Sequence, residues 1–175
     1  MENHIFWGSG RVGVSWNDAA VVAVDRIFGG LSSDKLMVRS VGDLRAFLDA
    51  AIGLDFEEQS RSGEARLASW RDIGRAGVML ASVLGYELDA DVVTKTLVRK
   101  QTDYGHENIR RFGERGLFVR LHDKVARLEN LLARDASPQN ESLADNLLDV
   151  VGYCAIGCMW VGGVFLLPLA YAEAS

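Results

Sequence analysis

The sequence predicts an all-α protein, a helical bundle of about six helices with a glycine-rich N-terminal arm. Three observations carry this. Apolar residues recur at i, i+3, i+4 and i+7 in segment after segment, the period of a helix with one buried face. Short polar stretches containing Gly, Pro, Ser or Asp separate those segments, and no run makes a convincing strand. The apolar fraction, 49%, is ample for a core.

The chain of 175 residues suits one domain. Within it, residues 1–90 are expected as an N-terminal helical extension packed on a core of residues 91–175. The run Gly8-Ser9-Gly10-Arg11-Val12-Gly13 spells G-x-G-x-x-G. A dinucleotide loop needs a strand before that pattern and a helix opening within it. His4-Ile5-Phe6-Trp7 is short for the strand, and Val12 to Trp16 lacks helical character, so an arm or short hairpin is expected. Asn17 or Asp18 then caps a helix reaching Phe28, and Gly29-Gly30 stops it. Ser40 and Asp43 form a capping-box pattern. The helix they open carries Leu44, Phe47, Leu48, Ala51 and Ile52 on one face. Residues 55–63, with Glu57 and Glu58, read as a surface loop.

A long helix is expected from Glu64 to Leu84, ended by Gly85, with Gly74 and Gly77 as weak points inside it. Asp89 or Asp91 caps the next, through Leu97 to Lys100, followed by a connection over residues 101–108. Another runs from Leu117 to Ala133, with Phe118, Leu121, Val125, Leu128 and Leu132 on one face and Arg120, Asp123, Lys124 and Arg127 on another. The loop at Ser137-Pro138 breaks it, and the last helix starts near Asn140.

That last helix draws the chemistry. Glu141, Asp145 and Asp149 stand four residues apart. Each step of four turns only about 40° on a helix, which sets the three on one stripe. Like charges at that spacing repel by a few tenths of a kcal/mol, and a divalent cation with oxygen ligands would neutralise them. Mg²⁺ suits best, with Mn²⁺ as the alternative, because Mg²⁺ takes few carboxylates and shares substrate phosphates. The plainer alternative is that these acids face water and favour the helix N-terminus. Basic Arg120, Lys124 and Arg127 would hold phosphates if their helix faces the acidic one. The alternative there is a purely structural ion network, at about 0–1 kcal/mol per exposed pair. Lys100, Asp103, Tyr104 and Asn108 form a third cluster just before them, and Tyr104 offers an aromatic face for a base.

Net charge of −5 argues against direct nucleic-acid binding. Cys154 and Cys158 are spaced unlike a zinc or redox pair and read as buried free thiols, which fits a reducing cytoplasm. Met1-Glu2-Asn3-His4 opens no signal-peptide pattern. From Val150 to Ala172 no residue is charged. A central buried helix is expected there rather than a tail anchor, since Pro168 and four glycines interrupt it and no Lys or Arg flanks it.

Three runs together carry a resemblance. They are Lys100 to Asn108, with Asp103, Tyr104 and Gly105; Gly116 to Leu128, with Arg120, Asp123, Lys124 and Arg127; and Glu141 to Tyr153, with Ser142, Asp145, Asp149 and Gly152. This order and spacing resembles the first family of nucleotide-modification-associated domains, common in phages and related to the all-α MazG and dimeric dUTPase pyrophosphohydrolases. The resemblance covers roughly residues 95–155. It implies an oligomeric (dimer or tetramer), Mg²⁺-dependent cytoplasmic protein that handles nucleoside phosphates, converting a triphosphate, expected to be a deoxynucleotide, to monophosphate and pyrophosphate. Glu141, Asp145 and Asp149 would then be the metal-holding catalytic acids. Lys100, Asp103, Tyr104, Asn108, Arg120, Lys124 and Arg127 would line the substrate. Those relatives carry E-x-x-E and E-x-x-D on successive helices. Here the acids are four apart and the preceding helix presents Asp123, Lys124 and Arg127, so a non-catalytic nucleotide-binding subunit stands beside the hydrolase as an expectation.

Overall fold

The computed structural model describes residues 15–31, 37–57 (backbone alone from 54), 62–134 and 142–170. The glycine motif at 8–13, Glu58 and Glu141 lie outside them. The described residues are all-α, with α1 (Trp16–Phe28), α2 (Val41–Glu57), α3 (Gly63–Val83), α4 (Ala90–Tyr104), α5 (Glu107–Arg110), α6 (Gly113–Arg134) and α7 (Leu143–Val161). The bundle is as expected, with the single turn of α5 added.

The helix ends differ from the sequence expectation for local reasons. Ser15, not Asn17 or Asp18, caps α1, and its hydroxyl accepts the Asp18 amide at 3.2 Å. Asp43 does close the start of α2, accepting the Arg39 and Ser40 amides at 2.8 and 2.9 Å. That helix runs on to Glu57, into the stretch expected as loop. Likewise α4 continues one turn past Lys100, because Gly105, at φ 64°, is the first residue suited to the left-handed turn that ends it. At the last helix Ser142 and Asp145 form a reciprocal capping box. The helix therefore opens at Leu143 rather than near Asn140, and Glu141 precedes the cap.

Apolar nearly all round, α7 must be buried. Leu147, Val150, Val151, Cys154, Ala155, Cys158 and Met159 are all buried, and α1, α3, α4 and α6 pack around them. Each such aliphatic side chain contributes about 1.5–3 kcal/mol on burial. The glycines that looked like weak points in α3 are where it meets its neighbours. Gly74 lies against Ile27 and Cys154, and Gly77 against Val150 and Val151. Gly157 of α7 does the same in reverse, leaving room for the Trp70 indole. That indole stacks on Phe118 at 4.4 Å and donates to buried Glu114 at 2.6 Å.

One core runs from Trp16 to Phe165 and so includes residues on both sides of position 90. After α7 the chain turns at Gly163 (φ 73°) and doubles back as a strap. Its Pro168 carbonyl accepts the Trp16 amide at 2.8 Å, the Asn17 side chain pairs with the Ala170 backbone, and Phe165 is buried against Trp16, His106 and Trp160. Among the described residues α7 is the one helix long and apolar enough to cross a membrane by length and composition, a test that a core helix also passes. Both cysteines are free and buried within it. Burial pushes the Cys158 thiol up to about 12 and Cys154 upward as well, which makes them packing groups rather than nucleophiles.

Candidate anion-binding pocket

The pocket follows from one close helix crossing. At Gly152, α7 has no side chain, and a Cβ there would stand 3.2 Å from Leu97 of α4. One turn along each helix from that crossing lie Asp149 on α7 and Lys100 and Gln101 on α4. Lys100 reaches across and bonds one carboxylate oxygen of Asp149. On the other side α6 buries Leu117, Leu121, Val125 and Leu128, which turns Arg120 and Lys124, one helical turn apart, toward α7. Lys124 bonds the second oxygen of Asp149 at 2.7 Å. Arg120 donates to the Asn108 carbonyl at 3.2 Å, tying α6 to α5.

These groups enclose a cavity of about 340 Å³, within the usual range of small-molecule sites. Lys100, Gln101, Tyr104, Asn108, Arg120, Lys124, Asp149 and Tyr153 are among its lining, with Leu97, Ile109 and Ile156 as the apolar wall. Three cationic side chains and one carboxylate thus meet there. The Asp149 side chain is only 11% exposed, so its charge is held in place by both ammonium groups in a setting where such bonds are stronger than in water. Tyr104 is 66% exposed at the rim.

Six of the eleven residues singled out in the sequence meet in this cavity: Lys100, Tyr104, Asn108, Arg120, Lys124 and Asp149. Asp103 and Asp123 face solvent. Arg127 is half-buried and is not among the lining residues. Glu141 lies outside the described residues. Asp145, one turn before Asp149, is exposed and engaged in the capping box, accepting the Ser142 hydroxyl at 2.7 Å and its amide at 3.1 Å. Those bonds hold its carboxyl below the usual range, and the fields of Lys100 and Lys124 add to the effect.

No group of three or more His, Cys, Asp or Glu that could hold a metal ion occurs among the described residues. Asp149 already carries one ammonium on each oxygen, and Asp145 is spent on the helix cap. As arranged, these two acids do not make a magnesium centre by themselves.

Sequence reasoning missed Gln101. It is 4% exposed, and its amide nitrogen has no hydrogen-bond partner, nor has the Asn108 side-chain oxygen. The signal was present: Val93, Leu97 and Gln101 are spaced by four, so a polar residue occupies the next place on a buried stripe. Compared with models of known families, with curated proteins and with solved structures, the chain matches none.

Proposed function

We propose that this protein binds a nucleoside phosphate in the pocket between α4, α5, α6 and α7. The observation that supports it best is the charge: Lys100, Arg120 and Lys124 line one cavity with Asp149 as their sole acidic companion among the described lining residues. A site with two surplus positive charges attracts an anion, and lysine and arginine together suit the several oxygens of a phosphate. The apolar wall of Leu97, Ile109 and Ile156 and the rings of Tyr104 and Tyr153 suit a flat heterocycle. The resemblance of residues 95–155 to nucleotide-modification-associated domains points the same way.

Hydrolysis to monophosphate and pyrophosphate is the second reading. It is favoured by Asp145 standing one turn from Asp149 and within the fields of Lys100 and Lys124. It requires Glu141 as a further acid and displacement of at least one lysine from Asp149.

Equilibrium titration with a panel of nucleoside mono- and triphosphates, with Mg²⁺ and with a chelator, tests the binding reading. Lys124→Met should weaken binding of the best ligand about tenfold or more, the loss of one charge-assisted bond of about 1.5–3 kcal/mol. An unchanged affinity, with the variant folded, would remove the pocket from consideration. Pyrophosphate release from a triphosphate with Mg²⁺ would establish the hydrolase.

A further inference from the structure

We propose that Gln101 and Asn108 determine specificity by reading the uncharged head of the ligand, a heterocycle that presents a hydrogen-bond acceptor beside a donor; this rests on the nucleoside phosphate reading above. Gln101 is buried on α4 and lines the same cavity as the three cations. Its amide N–H₂ has no acceptor, and the Asn108 side-chain oxygen in that lining has no donor. A buried polar group left unbonded costs about 1–3 kcal/mol, and most in folded proteins are satisfied. Two residues in the lining of one pocket thus hold one unbonded donor and one unbonded acceptor, both buried, and a bound partner that offers the complement of both would satisfy them.

The phosphate cannot be that partner, since it has acceptors alone when fully ionised and the lysines and arginine are there to take it. The complement is an edge of the kind found on nucleobases, where a ring nitrogen or carbonyl adjoins an N–H. The geometry allows the contact at little cost. The terminal torsion of an amide side chain is broad, so each amide can turn toward the cavity on ligand binding without leaving its rotamer well. Arg120, by bonding the Asn108 carbonyl at 3.2 Å, holds the backbone of Asn108 while its side chain turns.

The test compares the four deoxynucleoside 5′-monophosphates with deoxyribose 5-phosphate, which keeps the phosphate and lacks the base. At least one mononucleotide should bind ten times more tightly than deoxyribose 5-phosphate. Gln101→Met, close in volume, should lower that preference about tenfold and leave deoxyribose 5-phosphate affinity unchanged. Asn108→Ala should do the same, and a thermal melt shows that each variant is folded. If Gln101→Met and Asn108→Ala both leave every affinity unchanged, or weaken both kinds of ligand in parallel, the head-reading role is overturned while phosphate binding stands. If neither the mononucleotides nor deoxyribose 5-phosphate binds, the nucleoside phosphate reading fails and this inference with it.

Discussion

Asp149 decides how the pocket's chemistry is understood. It sits between Lys100 and Lys124 and is nearly buried. As a fixed counter-charge it orients two ammonium groups and competes with any incoming anion. Asp149→Asn should therefore tighten binding of inorganic phosphate, by about tenfold or roughly 1.4 kcal/mol, measured by titration in a chelator. The same change should lower stability by about 1–3 kcal/mol, because a pair of partly buried cations loses its partner. Weaker phosphate binding in the variant would show that Asp149 holds the two lysines in place for the ligand rather than competing with it. The lysines and Asp149 were legible in the sequence because charge stands out on apolar helices. Gln101 was legible only as a polar residue on an apolar stripe; its lack of a partner, which gives it its importance, is revealed by packing alone. Asp145 shows the opposite limit. Its spacing from Asp149 was legible, but its engagement with Ser142 depended on where the helix began, and boundaries are the least certain part of a periodic pattern.

At the scale of elements, the periodic faces of α2, α3 and α6 were legible because burial imposes the 3.6-residue period directly, and α7 was legible by its uncharged run. The glycines were not. On propensity alone each costs about 1 kcal/mol against alanine in a helix, which argues for a break. In the fold, Gly74, Gly77, Gly152 and Gly157 are where helices touch, and close packing outweighs propensity. The two effects separate in a pair of variants. Gly157→Ala drives a Cβ into clash with the Trp70 indole, and Trp70 cannot retreat while it stacks on Phe118 and bonds Glu114. A loss of about 3 kcal/mol is expected. Gly53→Ala in α2 meets nothing within 4 Å and should gain about 0.5–1 kcal/mol. Urea midpoints of the two variants measured against the parent check both; equal shifts would refute the packing explanation.

For the molecule as a whole, pH acts from both sides. Asp43, held down by the Arg39 and Ser40 amides, Glu129, held down by Arg45, and Asp145, held down by Ser142, all titrate below their ordinary values of 3.8, 4.5 and 3.8 when folded. Depressed folded values mean that the unfolded chain binds more protons in acid. Their contribution is complete above those ordinary values and is lost as pH falls through the folded ones. Cys154 and Cys158 are shifted upward from 9.0. Their contribution is complete below that value and fades as pH rises toward about 12. Thermal midpoints should therefore form a plateau between about pH 5 and 9 and decline on each flank. A midpoint still rising below pH 4, or rising above pH 9, would contradict the stated environments.

The helix at the centre of the bundle also comes last among the described helices in chain order, and this has a consequence for birth rather than for function. At roughly 5–20 residues per second of synthesis, the apolar faces of α1 and α3 wait several seconds before α7 arrives to cover them. Chains that stop before Leu143 would leave exposed the faces of α1, α3 and α6 that α7 covers, and limited proteolysis should cleave them faster than the full chain. The segment from Leu143 onward is thus the part whose arrival completes burial of the shared core.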